Sequence, residues 1–183
     1  CGAGLRGRQL CPTHRAIRAP GDEGRWFVVE LKKQIHTFLE SDPGGTLDTS
    51  MEVVDVASTS LTEWGMLSMA LHPDYPSDPR AFLYYTSSEH SGTVLASIEV
   101  EEGGLFSSET LTEILIIDQR DDVISHVGAH IAFHPTDGTL FLALGDGGDG
   151  ATPDAEGAAQ DNEDLRGAIL RIDVDGETDS VPV

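Results

Sequence analysis

Lysine is almost missing from this chain. Lys32 and Lys33 are the whole complement, among eleven basic residues set against thirty-two acidic ones, and the formal net charge is −21. A surface of that sign repels phosphate backbones and anionic headgroups, which argues against nucleic acid and anionic lipid as partners. Two uses of the acidity stay open: a solvated surface helped by screening salt, or cation binding in some loops. Cysteine is scarce as well. Cys1 and Cys11 are open to a small disulfide loop in an oxidising compartment, to free thiols, or to partners elsewhere, and Cys1 also to lipid modification. No run approaches the roughly 18 apolar residues of a membrane helix, and no basic stretch followed by an apolar one stands at the start. The first residue is Cys1 rather than Met, so a processed product or a fragment is expected. No nucleophile elbow, P-loop, zinc cluster or CxxC pair occurs, which weakens hydrolase, nucleotide-binding and zinc readings.

What the chain does contain is strands. It has 183 residues, 39% of them hydrophobic, enough for a domain with a real core. Short β-branched and aromatic runs recur between Gly, Pro, Asp and Ser. They fall at 25–30, 34–39, 52–56, 81–86, 93–100, 111–118, 139–144 and 167–174. No segment carries a sustained 3.6-residue apolar period; the stretch 155–165 is acidic and Gly-broken, with room for one helical turn at most.

These runs repeat. MALHPDYPSDPRAFLYY at 69–85 and IAFHPTDGTLFLAL at 131–144 share an order: apolar strand, His-Pro, Asp-containing turn, apolar strand. A weaker copy, RAPGDEGRWFVVE, lies at 18–30, and each copy is followed by another strand. A unit of about 55 to 62 residues with four strands is the size of a propeller blade, because one small twisted sheet cannot cover its own two faces and stacking sheets radially buries them. The expected fold is all-β, a propeller of four-stranded antiparallel blades, with residues 1–17 as an N-terminal extension and 18–183 as about three blades. A ring closes with four to eight, so about half of one is expected.

Chemistry-bearing residues stand out against this pattern. His72-Pro73 and His134-Pro135 recur at matched points, and a repeated feature reads as turn-forming, with the His capping or packing. The stretch SHVGAH at 125–130 differs: it has no matching polar pair at 63–68, EWGMLS. It lies where a blade's innermost strand begins, at the mouth of a propeller's channel. His126 there is a candidate general base, weighed against a solvated loop histidine. Next comes GDGGDG at 145–150. Asp146, Asp149 and Asp154 offer hard oxygen ligands for calcium, though a Gly/Asp turn is the plainer reading. DVDG at 173–176 reads as a hairpin turn.

Four segments together resemble soluble glucose/sorbosone dehydrogenases that use pyrroloquinoline quinone (PQQ), including the aldose sugar dehydrogenases. They are RWFVVE (25–30), EWGMLSMALHPDY (63–75), HVGAHIAFHPTDGTLFLALGD (126–146) and LRGAILRIDVDG (165–176). The resemblance implies a six-bladed propeller, PQQ over a Ca2+ ion at the channel mouth, and a small sugar as substrate. It implies His126 as the base that takes the proton of the sugar C1 hydroxyl while hydride passes to the quinone. Glu63, Ser125 and Asp146 fall at positions that line the cofactor pocket. It also implies a periplasmic or extracellular setting. Ser125 stands where the family usually has Asp or Asn, His130 replaces a more usual polar residue, and Arg166 and Arg171 are not obvious substitutes for the family's PQQ-binding basic residues. No metal ligand is assigned. The same propeller occurs in hedgehog-interacting proteins, which makes a non-catalytic binding module the alternative.

Overall fold

The computed structural model describes residues 2–3, 9–10, 13–22, 24–31, 34–42, 48–52, 64–119, 125–128, 130–148 and 157–176. A two-residue ladder joins β1 (Gly2–Ala3) to β2 (Gln9–Leu10). Three antiparallel sheets follow, each a meander in chain order. The first holds β3 (Thr13–Arg18), β4 (Arg25–Glu30), β5 (Gln34–Leu39) and β6 (Asp48–Glu52). The second holds β7 (Met66–Leu71), β8 (Arg80–Thr86), β9 (Gly92–Val100) and β10 (Phe106–Asp118). The third holds β11 (His130–Phe133), β12 (Leu140–Ala143) and β13 (Ile169–Ile172). The opening strand of the second sheet, β7, packs against the opening strands of both neighbours, β3 and β11. This is a partial β-propeller, with the innermost strands side by side.

Side-chain alternation explains the stacking. Along β8, Ala81, Leu83 and Tyr85 face the first sheet and join Phe27, Val29, Ile35, Met66, Met69 and Val94. Phe82 and Tyr84 face the other way, onto Val127, Ile131, Leu140, Leu142 and Ile172. The middle sheet is therefore buried on both faces, as its near-continuous apolar run AFLYY requires. The third sheet is covered on one face only, and Ile169 on β13 is 71% exposed.

Three expectations need adjusting. The first sheet begins at Thr13, ahead of residue 18, because THRAIR pairs with β4 from Arg18↔Trp26 back to Thr13↔Glu30. Its alternation of polar and small side chains hides it from a hydrophobic scan. The expected strand at 111–118 starts earlier, at Phe106, through two register shifts against β9. The strand expected at 52–56 occupies Asp48–Glu52 as far as described, and the helical turn is a single 3-10 turn, Ala158–Gln160.

The His-Pro turns are built alike. His72 and His134 end β7 and β11; their backbone N–H groups donate to the carbonyls of Arg80 and Thr139. Each ring accepts at Nδ1 from the backbone two residues on, Asp74 N–H at 3.2 Å and Thr136 N–H at 3.4 Å. His72 does more. It is buried, and Nε2 lies 3.2 Å from Asp175 Oδ2 at the far end of β13. Arg80 joins the same carboxylate and also binds Asp78 at 2.6 Å and the Val174 carbonyl at 3.1 Å. The DVDG turn, closed by Asp173 accepting from Asp175 and Gly176 N–H, thus clasps the second sheet. Asp175 is half exposed, so each ion pair is worth about 0–1 kcal/mol, while each fully buried Ile131, Leu140 or Leu142 contributes about 1.5–3 kcal/mol. Apolar contact docks the third sheet; the clasp sets its register.

Two polar contacts cross this interface fully buried: Ile131 N–H donates to Ser68 Oγ at 3.2 Å, and Tyr84 reaches the backbone beside β11. Tyr84 donates its hydroxyl to the Val127 carbonyl at 2.9 Å and lies 2.9 Å from Thr93 Oγ1. Tyr84→Phe removes the donor and leaves that carbonyl unsatisfied, at a cost of about 1–3 kcal/mol. A lower urea midpoint with unchanged slope is the expected result; an unaltered midpoint contradicts the role.

Candidate functional site

His126 sits one residue before that pinned carbonyl, and its backbone is unusual. Its φ is 57°, making it the only non-glycine residue with positive φ among those described. A His in the left-handed region costs energy, and the surrounding bonds hold it there. Its carbonyl accepts Gly147 N–H at 3.0 Å. Gly145 passes so close that a Cβ on it would lie 1.9 Å from that oxygen. The loop 145–148 therefore packs backbone to backbone on residues 126–128, which is what the glycines of GDGG permit.

That contact brings two side chains together. His126 Nδ1 lies 3.1 Å from Asp146 Oδ1. The same oxygen accepts Gly148 N–H at 3.0 Å. The Gly148 amide first, and then the His126 ring, hold the Asp146 carboxyl below the usual aspartate range against the opposing effect of burial. An ionised carboxylate only accepts, so Nδ1 carries a proton in this contact, and in the neutral form of the ring the lone pair is then at Nε2. Ser125 does not hold the ring: its hydroxyl donates to the Gly148 carbonyl at 3.3 Å and ties the loop down from the other side. A base whose orienting carboxylate is fixed by a third group is the arrangement general-base chemistry needs.

A family model described as Glucose / Sorbosone dehydrogenase matches residues 14–182. The chain belongs to this family. Among solved structures, the PQQ-bound form of aldose sugar dehydrogenase from Streptomyces coelicolor superposes with a TM-score of 0.72 at 29% identity, covering 92% of this chain and 46% of that one. Mouse hedgehog-interacting protein is 27% identical over 128 residues, 66% of this chain and 18% of its own length. The Arabidopsis thaliana HIPL1 protein is 29% identical over 177 residues, 74% of this chain and 25% of its own. The chain spans a quarter or less of these curated relatives.

Of the residues expected to matter, His126, Ser125 and Asp146 are brought together by one loop. Glu63, Asp149, Asp154, Cys1 and Cys11 lie outside the described residues. Arg166 and Arg171 are committed elsewhere, to Asp164 at 2.6 Å and Asp137 at 3.0 Å. The bond from Asp146 to the imidazole was not legible; the family resemblance puts an Asp or Asn immediately before the His, where this chain has Ser125, and the fold supplies a carboxylate from twenty residues on. Among the described residues, one group of three has metal-ligand geometry, His72, Asp78 and Asp175. It forms the inter-sheet clasp and Arg80 occupies both carboxylates. No helix among the described residues is long and apolar enough to cross a membrane.

A carboxyl whose folded pKa lies below its unfolded value of about 3.9 adds stability that is present above that value and lost as pH falls through the folded one. Carbon-detected NMR of Asp146 should give a midpoint below the ordinary aspartate value, with the Gly148 amide shift moving at the same midpoint. An ordinary midpoint, or an unresponsive Gly148, contradicts the geometry.

Proposed function

We propose that this chain is part of a PQQ-dependent dehydrogenase that oxidises aldose sugars or related alcohols, with His126 as its general base. The observation that carries the reading is the His126–Asp146 pair, held at 3.1 Å on a left-handed backbone where an innermost strand begins. His126 Nε2 takes the proton of the sugar hydroxyl. Asp146 keeps the Nδ1 proton in place and stabilises the imidazolium that forms, and Ser125 steadies the loop that carries Asp146. PQQ, when bound, supplies the two-electron acceptor for the hydride. The donor set suits a quinone at its reactive edge, because the base is aimed by a fixed carboxylate.

Calcium is the companion cation the family reading brings. No three metal-ligating side chains cluster beside His126 among the described residues, so no step is assigned to it. A periplasmic or extracellular place of work follows from the same reading. A second reading, a propeller that binds a protein partner without catalysis, is favoured by the likeness to hedgehog-interacting protein.

Dye reduction by aldoses in the presence of PQQ and Ca2+ separates the two. The enzyme reading expects turnover, a loss of roughly 10²–10⁴-fold in His126→Ala, and a large loss in Asp146→Asn with substrate affinity less affected. Full activity in His126→Ala refutes the base assignment, and failure to bind PQQ favours the binding module.

A further inference from the structure

The chain's acidity makes one arginine conspicuous. Arg18, Arg25, Arg80, Arg166 and Arg171 each bind a carboxylate. Arg15 binds none among the described residues. Its guanidinium instead reaches the ring of His130: Nη1 donates to Nδ1, and Nη1 and Nη2 each lie 3.3 Å from Nε2. The two residues come from different sheets, Arg15 from β3 and His130 from β11, the innermost strands that flank β7. They meet across β7, and His130 is four residues beyond His126. Arg15 is half-buried and His130 exposed, so both are within reach of a ligand.

A guanidinium that donates to a neutral imidazole uses one of its five N–H donors there, and the imidazole brings no charge to compensate it. Burial, and then the Arg15 charge, hold the His130 pKa below that of an ordinary histidine. In so acidic a chain, a cation with no carboxylate partner among the described residues suits a carboxylate that arrives from outside. The planar fork of Arg matches a carboxylate with two parallel hydrogen bonds, and a protonated imidazole adds a third donor.

We propose that Arg15 and His130 form a carboxylate-binding site on the innermost strands, with the ligand carboxylate bridging the guanidinium and the imidazolium. Two sources share this chemistry, a carboxylate of PQQ and the carboxylate of an acidic sugar; the first rests on the PQQ reading and the second does not.

The test follows the His130 ring resonances by NMR, assigned through His130→Gln, while the protein is titrated with PQQ, with glucuronate and with glucose. A bound carboxylate stabilises the imidazolium, so the His130 pKa should rise with PQQ, glucuronate or both, and stay in place with glucose. Arg15→Gln should weaken that binding at least about tenfold, with Arg15→Lys intermediate because it keeps the charge and loses the fork. Arg15→Lys also serves if the Gln variant fails to fold. A response to glucuronate alone supports the site and counts against PQQ there; a response to PQQ alone assigns the site to the cofactor. The proposal is overturned if neither carboxylate moves His130, if glucose moves it equally, or if Arg15→Gln binds unchanged.

Discussion

A small twisted sheet has two faces and, by itself, nothing to cover either. That constraint organises this molecule. The middle sheet meets it by alternation: odd-numbered positions of β8 bury against the first sheet, even-numbered ones against the third. The consequence reaches the candidate site directly. Tyr84, on the face turned to the third sheet, extends its hydroxyl to the Val127 carbonyl. The backbone beside His126 is therefore anchored from a neighbouring blade as well as by the loop 145–148.

From that anchor the site assembles in few steps. Gly145 and Gly147 let the loop 145–148 lie on the His126 carbonyl. Loop placement sets the Asp146 carboxylate on Nδ1, and Asp146 fixes the tautomer. The positive φ of His126 is the strained element, and strain of this kind persists where the surroundings over-determine it. At the opposite end of the same sheets, His72, Arg80 and Asp175 clasp the third sheet to the second. The polar contacts at the two ends restrict sliding and rotation, which apolar packing alone resists weakly.

Much of the fold was legible because strands advertise themselves by alternation and by turn residues. The repeat carried the architecture: MALHPDY and IAFHPTD end their strands at His72 and His134 with the same backbone bond and the same ring cap. THRAIR was not legible as a strand, since its hydrophobic content is one Ala and one Ile. His126, Ser125 and Asp146 were all candidates in the sequence and the fold brings them together, but the contacts among them were not legible. A sequence shows neighbours along the chain, and the imidazole takes its carboxylate from across a glycine-bounded loop. Arg15 carried no signal at all; its significance lies in its having no carboxylate partner among the described residues, a property of the folded charge distribution.

The central claim is that His126 accepts a proton, as opposed to shaping the pocket. Chemical rescue tests this most directly. His126→Ala, loaded with PQQ and Ca2+, should recover aldose-dependent dye reduction when imidazole is added, and the rescued rate should rise with the basicity of substituted imidazoles. Rescue that ignores the pKa of the added base, or no rescue in a variant that still binds PQQ and sugar, would contradict the account.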